Sequence, residues 1–209
     1  MILITQIYNN NKVRYNEMIK ALKLNCKNRI INKIILLNEK KLNLDSISPK
    51  IKQIIIGKRL TYKIAFDYSN NNFDENNIII LANSDIWFDN SIEIINRCNM
   101  VNKVFALSRY DFTSTGNYVF FNNFKSQDCW IYQNPIKLQF PHNFYLGRPG
   151  CDNRIAWIIS KSKKNEVRYI IRNPSLTIKC YHEHLSNIRN YSRKNLIKGP
   201  YLYLLPNRL

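Results

Sequence analysis

Glycine is scarce in this chain, five residues in 209, and neither G-x-G-x-x-G nor G-x-x-x-x-G-K-[ST] occurs. A dinucleotide fingerprint and a P-loop are therefore excluded as means of holding phosphate. The five cysteines, Cys26, Cys98, Cys129, Cys151 and Cys180, are odd in number and contain no C-x-x-C pair. That pattern argues against a zinc ribbon or a disulfide framework and for a reducing compartment, with the thiols as buried structural groups. No apolar run approaches the roughly 18 residues of a membrane span. The start, MILITQIYNNNKVR, sets its apolar residues ahead of its charge, the reverse of a secretory leader. The expectation is a soluble, cytoplasmic protein with no transmembrane segment.

Acid is short as well. Asp and Glu total 14 against 32 Lys and Arg, a formal charge of +18, which by itself points to nucleic acid or an anionic surface. Composition tempers this, because 31 Ile, 31 Asn and 20 Lys are what drift toward A/T-rich codons produces. The distribution is more telling than the sum. Residues 1–60 carry 13 basic and 3 acidic side chains, residues 61–120 carry 4 and 7, and residues 121–209 carry 15 and 4. An acidic island between basic ends suits a cation held by carboxylates and ringed by groups that face phosphate. At 45% hydrophobic and 12% aromatic the chain can bury a sizeable core.

Short β-branched runs, Ile2–Tyr8, Ile34–Leu37, Ile54–Ile56 and Ile78–Ala82, read as parallel strands buried on both faces. Val13–Leu24 between them has helical spacing, with Met18, Ile19 and Leu22 on one face. Thr61–Tyr68 reads as a weaker helix, and Asp89-Asn90-Ser91 caps another that carries Ile92, Ile94 and Ile95. The alternation predicts an α/β fold with a mainly parallel central sheet and helices on both faces. The second half is mixed: strands at Val104–Leu107, Cys129–Tyr132, Arg168–Ile171 and Leu176–Tyr181, and a helix at Cys151–Ser160. No linker divides the chain, so residues 1–209 are expected to form one domain.

Four segments hold the candidate chemistry. The apolar run Ile78–Ala82 leads straight into Asn83-Ser84-Asp85, and the carboxyl end of a parallel strand is where ligands bind in such sheets. Asp85 there offers oxygen to a hard cation such as Mg2+ or Mn2+, although Asn83 to Asp89 also reads as a helix-entry turn with Asp89 as its cap. Asp128 opens an apolar strand, where it binds a sugar hydroxyl or simply makes a turn. Asp152 opens a helix after Gly147-Arg148-Pro149-Gly150, as an N-cap or as a base and acceptor ligand. In Tyr181-His182-Glu183-His184 the H-x-H spacing sets both rings on one side of an extended segment, as a metal ligand with a supporting group or as two solvated histidines. Arg14/Tyr15, Lys58/Arg59 and Arg189/Tyr191 pair cations with aromatics or with each other, to meet phosphate or a base or merely to face water.

The pieces IIILANSDIWFD, ALSRYDF, SQDCWIY, GRPGCDNRIAW and NPSLTIKCYHEH, spread over nearly the whole chain, together resemble the GT-A-fold nucleotide-sugar glycosyltransferases. The likeness extends to the small glycosyltransferase domains of large DNA viruses, of the chlorovirus capsid-glycan type. It implies a single GT-A (Rossmann-like) domain whose residues 1–100 bind the nucleotide and 101–209 the acceptor, located in the host cytoplasm or virus factory. Asp85 becomes the carboxylate of a D-x-D-like element, with Asn83 where the first Asp is usual and His182 or His184 as the late metal ligand for Mn2+ or Mg2+. Gln6, Tyr8 and Arg14 would border uracil and ribose, Lys58 and Arg109 join the nucleotide-binding set, and Asp152 and Asp128 are the catalytic carboxylates. The implied partners are a nucleoside-diphosphate sugar, most simply a UDP-sugar, and a glycan or glycoprotein acceptor, with no nucleic acid. The acceptor proton goes either to a protein carboxylate, with inversion, or to the leaving phosphate on the same face, with retention; the residues leave both open, and the viral likeness leans toward retention. Two other classes compete: a metal-dependent nuclease or nucleotidyltransferase using the same carboxylates, and a basic nucleic-acid-binding protein indifferent to Asp85.

Overall fold

A strand covered on both faces must be apolar at every position, and the two periodicities of helix and strand decide which side chains meet. The computed structural model, which describes residues 1–186, 188 and 192–209, follows these rules. In chain order the elements are β1 (Ile2–Thr5), α1 (Lys12–Lys27), β2 (Lys33–Asn38), β3 (Ile51–Ile55), α2 (Tyr62–Asn72), β4 (Ile78–Ala82), β5 (Ile86–Phe88), a 3-10 helix (Asn90–Arg97) and β6 (Lys103–Leu107). There follow β7 (Tyr110–Phe112), β8 (Tyr118–Phe120), β9 (Cys129–Gln133), α3 (Cys151–Lys161), β10 (Lys163–Lys164), β11 (Val167–Arg168), β12 (Ile170–Arg172), β13 (Cys180–His182) and a 3-10 turn at Arg193–Asn195.

Seven strands form the central sheet in the order β12-β6-β9-β4-β1-β2-β3. β9 runs antiparallel to β4 and β6; every other pair is parallel. From β1 the chain moves outward to β2 and β3, then returns through α2 to lay β4 on the other side of β1. Because parallel crossovers are right-handed, reversing direction puts the two helices on opposite faces. The cores agree. Leu3, Ile34, Leu36 and Ile80 pack with Met18 and Leu22 of α1 and with Ile92 and Ile95. The alternate positions Ile4, Ile35, Leu37 and Ile79 pack with Ala65 and Phe66 of α2 and Ile155 and Ile159 of α3. The doubly wound α/β sheet with helices on both faces is thus observed, and strand order switches between the carboxyl ends of β1 and β4.

A second sheet, β5-β13-β7-β8, stands beside that switch. β13 pairs antiparallel with β5 and parallel with β7, which places His182 opposite both Ile86 and Asp111. Its other face is aromatic: Trp87 stacks on Tyr181 at 4.4 Å, and Tyr118 meets both rings edge-on. Buried Glu183 fixes this layer by accepting from Trp87 Nε1 at 3.0 Å and from the Tyr118 hydroxyl, and by pairing with Lys20 Nζ at 2.8 Å. With Glu183 held outward, its neighbours His182 and His184 turn toward the main sheet.

Several boundaries differ from the sequence reading. β1 stops at Thr5 because Ile7 N–H donates to the Asn38 side chain instead of a strand neighbour. β3 starts at Ile51, three residues early, its polar Lys52 and Gln53 being tolerated because it is the edge strand. Most of Leu176–Tyr181 is a turn, closed by Thr177 and Ile178 N–H on the Pro174 carbonyl, and only Cys180–His182 is strand. Arg168–Ile171 divides between β11 and β12. Asp89 does act as a cap, accepting from Ser91 N–H, but for a 3-10 helix, and β5 separates it from Asp85. Asp152 is not the cap of α3: Gly150 is, in the left-handed region at φ 76°. Cys129, Cys151 and Cys180 are buried and Cys26 and Cys98 half-buried, all as free thiols.

Gly150 also marks where the C-terminal segment crosses α3. A Cβ at this position would lie 2.7 Å from the Ile197 carbonyl oxygen, and the positive φ is itself unfavourable for alanine. Gly150→Ala is expected to lower unfolding free energy by about 1–3 kcal/mol, read as a lower urea midpoint at unchanged slope.

Candidate active site

The switch point between β1 and β4 opens into a cleft of about 350 Å³, the position where α/β sheets bind ligands. Thr5 and Gln6 come from the end of β1, Asn83, Ser84 and Asp85 from the end of β4, and His182 and His184 from β13 and its continuation. Asp128, Arg109 and Asp152 form another wall.

Asp85 is the centre. Its Oδ2 accepts from Arg14 Nη2 at 2.5 Å and from His182 Nε2 at 3.1 Å, while its backbone carbonyl accepts from Glu183 N–H, extending the β5–β13 ladder. His182 Nδ1 donates to Asp111 Oδ1 at 2.8 Å; Asp111 also takes Arg109 Nε at 2.6 Å; Arg109 Nη1 reaches Asp128 Oδ2 at 2.7 Å. At the far end Arg14 Nη1 pairs with Glu17, which also accepts from Ser186 N–H. The result is one line of alternating charge: Asp128, Arg109, Asp111, His182, Asp85, Arg14, Glu17.

Each member shifts its neighbours. Burial alone would raise the Asp85 carboxyl, but His182 and Arg14 outweigh it and hold the group far below the usual carboxylate range. Burial would lower His182, but Asp85 and Asp111 push it up to about 9, so both ring nitrogens donate at neutral pH. His184 is driven down, by burial first and then by the Arg14 charge. Asp152 stands apart: burial and the negative charge of Asp128 raise it to about 8, against smaller help from the Cys151 thiol, which donates to its Oδ1 at 3.1 Å.

Asp85, His182 and His184 each offer a donor atom, all within 4.8 Å of one another. His184 Nε2 is buried with no hydrogen-bond partner among the described residues, and Asp111 behind His182 is the carboxylate that commonly orients a metal-bound imidazole. These residues fit a divalent cation. To join such a set through Nε2, His182 would release its proton, and Asp85 would offer a carboxylate oxygen.

Of the candidate site residues from the sequence, Gln6, Tyr8, Arg14, Asn83, Asp85, Arg109, Asp128, Asp152, His182 and His184 line this cleft, and Tyr15 and Lys58 do not. Lys58 is exposed at the turn after β3, and its neighbour Arg59 enters the cleft in its stead. Gln6 is present, but its amide is occupied: Nε2 donates to the Leu37 and Lys58 carbonyls and Oε1 accepts from Leu60 N–H. It braces the loop instead of facing a base. Arg14 likewise turns to Asp85, not outward, and Tyr8 remains half-buried at the rim. Asn83 donates to Asp128 Oδ1 at 2.9 Å, a bond that an Asp there would replace with repulsion. Arg189 and Tyr191 lie outside the described residues. Sequence reasoning named Arg59 only in the pair Lys58/Arg59, passed over Asp111, although ALSRYDF contains it, and gave no weight to Lys125 or Arg148 as cleft cations. Spacing carries no signal for these, since each comes from a different strand or loop.

No protein-family model and no curated protein matches the chain. Among solved structures it is similar to HddC from Yersinia pseudotuberculosis (10% identity, TM-score 0.47, covering 87% of this chain and 92% of that one). It is also similar to a 4-diphosphocytidyl-2C-methyl-D-erythritol synthase from Anaerococcus prevotii DSM 20548 (11%, 0.45, 92% and 90%). With the glycosyltransferase GlyE of Streptococcus pneumoniae TIGR4 it shares 14% identity at TM-score 0.40, over 64% of this chain and 34% of GlyE. What the cleft can do is set by its own residues.

Two outcomes follow from the charge line. Asp111→Asn removes a negative partner of His182, so the imidazole pKa, followed by NMR titration, should drop by about one unit or more from its position near 9. Asp152 binds its proton more tightly folded than unfolded, so its contribution to stability is present below about pH 4 and is lost as pH rises through about 8. Asp152→Asn, which mimics the protonated acid, should therefore melt a few degrees above wild type at pH 8.5, with the gap closing toward pH 4.5.

Proposed function

We propose that the chain is a glycosyltransferase of the GT-A type, moving a sugar from a nucleoside diphosphate, with UDP as the first candidate, to a glycan or glycoprotein acceptor. The observation that carries this reading is the convergence of Asp85, His182 and His184 at the strand switch point, facing cations that have no counterion among the described residues. Breaking the bond between an anomeric carbon and a diphosphate builds negative charge on the leaving group, and stabilising that charge is the main work of such a site. A divalent cation held by the three donors would supply positive charge to the leaving diphosphate, and two imidazoles in the set favour Mn2+ over Mg2+.

The chain's own residues do the rest. Arg59, half-buried beside Gly147 and Asn83 with one nitrogen on the Leu146 carbonyl, meets the diphosphate oxygens. Arg14, with Glu17 as its anchor, is a second positive group on the same side. Asp128 is pinned by Arg109 and Asn83 and positions hydroxyls. In the retaining reading the acceptor proton passes to the leaving phosphate on the same face, and Asp152, raised by burial and by the Asp128 charge, is a partner of the acceptor and not its base. Asp152 then serves as a hydrogen-bond donor to the acceptor sugar.

Calorimetry with UDP, with and without Mn2+, tests the reading. UDP should bind in the presence of Mn2+, and His184→Ala should weaken binding by about tenfold or more; it deletes a ligand that makes no hydrogen bond through Nε2 among the described residues and so leaves the fold intact. Asp85→Ala should abolish the metal-dependent part. Nucleotide binding indifferent to Mn2+ and to both substitutions contradicts the assignment, and turnover releasing a nucleoside monophosphate or pyrophosphate moves it to a nuclease or nucleotidyltransferase.

A further inference from the structure

The cleft holds more positive charge than the proposed donor can neutralise. Arg14 is matched by Asp85 and Glu17, and Arg109 by Asp111 and Asp128. Arg59, Arg148 and Lys125 also line the cleft, and no carboxylate among the described residues lies within ion-pair distance of any of them. Arg59 and Arg148 converge on one ring, their guanidinium carbons 5.4 and 5.8 Å from the centre of Tyr145, and burial with the nearby Arg148 charge makes Arg59 less basic than usual. Like charges brought together out of water are costly unless an anion sits between or beside them. A nucleoside-diphosphate sugar brings two negative charges, and a divalent cation arriving with it cancels them. With or without that cation, at least one of the three positive side chains is left over.

Their placement says which ligand the surplus serves. Arg59 lies beside Asn83, on the Asp85 side. Arg148 belongs to the loop that enters α3, four residues ahead of Asp152, and Lys125 is tied to the same helix through its carbonyl, which accepts from Asn153 Nδ2 at 3.1 Å. Arg148, beside Arg59, and Lys125, exposed at the rim with its ammonium over the Phe124 and Tyr203 rings, thus enter the cleft from the loops next to the start of α3, where Asp152 also lines it. The N-cap of α3 is Gly150, with no side chain to cap the first turn, which adds a weak preference for negative charge at the same end. Resting on the glycosyltransferase reading, we infer that the acceptor is anionic, a sugar bearing a phosphate or carboxylate group that Arg148 and Lys125 receive next to Asp152.

The test titrates the full chain with glucose 6-phosphate, glucuronic acid and glucose, each with and without saturating UDP and Mn2+. At least one anionic sugar should bind the UDP-saturated protein about tenfold or more tighter than glucose, and that preference should vanish in the Lys125→Ala/Arg148→Ala double variant and weaken in 0.3 M KCl, a concentration at which a Debye length is roughly 6 Å. Which of the two sugars gains assigns the anion as phosphate or carboxylate. If anionic sugars bind no tighter than glucose, or bind only until UDP displaces them, the cations belong to the donor and the inference is overturned. A preference that survives in the double variant also overturns it. Failure of UDP to bind while the anionic sugars still depend on Arg148 and Lys125 removes the glycosyltransferase reading and leaves the anion site standing.

Discussion

Asp85 Oδ2 takes hydrogen bonds from Arg14 and His182 together, and much else in the molecule converges on that atom. It is nearly inaccessible to water, so the charge is tolerable only with both partners in place; breaking a buried pair of this kind costs about 3–5 kcal/mol. Through Arg14 the atom fixes the first turn of α1 and, by way of Glu17 and Ser186, the segment after β13. Through His182 it fixes the second sheet and, by way of Asp111 and Arg109, the wall that carries Asp128. Three independent parts of the chain are thereby referred to a single carboxylate at the end of β4. The alternation of sign keeps every charge next to its opposite, so the line can be buried without stranding any member.

The same arrangement gives the site two states with different contents. With Arg14 and a protonated His182 on Asp85 the carboxylate is neutralised internally. Were a divalent cation held by Asp85, His182 and His184, His182 would give up a proton, so positive charge would be exchanged for positive charge at a fixed location. The Nε2 of His184, without a partner among the described residues, would then be satisfied. Asp152, set outside the line and beside Asp128, feels the negative end of it and keeps its proton. Its raised pKa thus comes first from burial and then from the Asp128 charge at the end of the line.

Much of this organisation was legible in the sequence and some was not, for identifiable reasons. Ile78–Ala82 is apolar throughout and flows into Asn83-Ser84-Asp85, so strand, burial and the location of Asp85 follow from one segment; H-x-H spacing likewise puts two rings on one side. Charge counted by thirds exposed the acidic island that supplies Asp85 and Asp111. Short strands escaped notice because three residues such as Tyr110–Phe112 or Tyr118–Phe120 show no periodicity of their own and exist only through their partners in the second sheet. Lys58 was chosen where Arg59 serves, since nothing local says which of two adjacent cations turns inward. Gln6 and Arg14 line the cleft, but their hydrogen-bond partners come from segments 31 to 71 residues away, and only the folded chain states who those partners are. The net charge of +18 first suggested a polyanion; most of the cations behind it lie outside the cleft, which holds a matched line and the small surplus of Arg59, Arg148 and Lys125.

The central claim, that Asp85, His182 and His184 jointly hold the cation that accompanies a nucleoside diphosphate, is tested most directly by pulsed electron paramagnetic resonance on the protein with Mn2+ and UDP. The account predicts nitrogen hyperfine coupling from two imidazoles, reduced to one in His184→Ala, together with phosphorus coupling from the nucleotide. A spectrum with phosphorus coupling and no nitrogen coupling would place the cation on the nucleotide alone and contradict it.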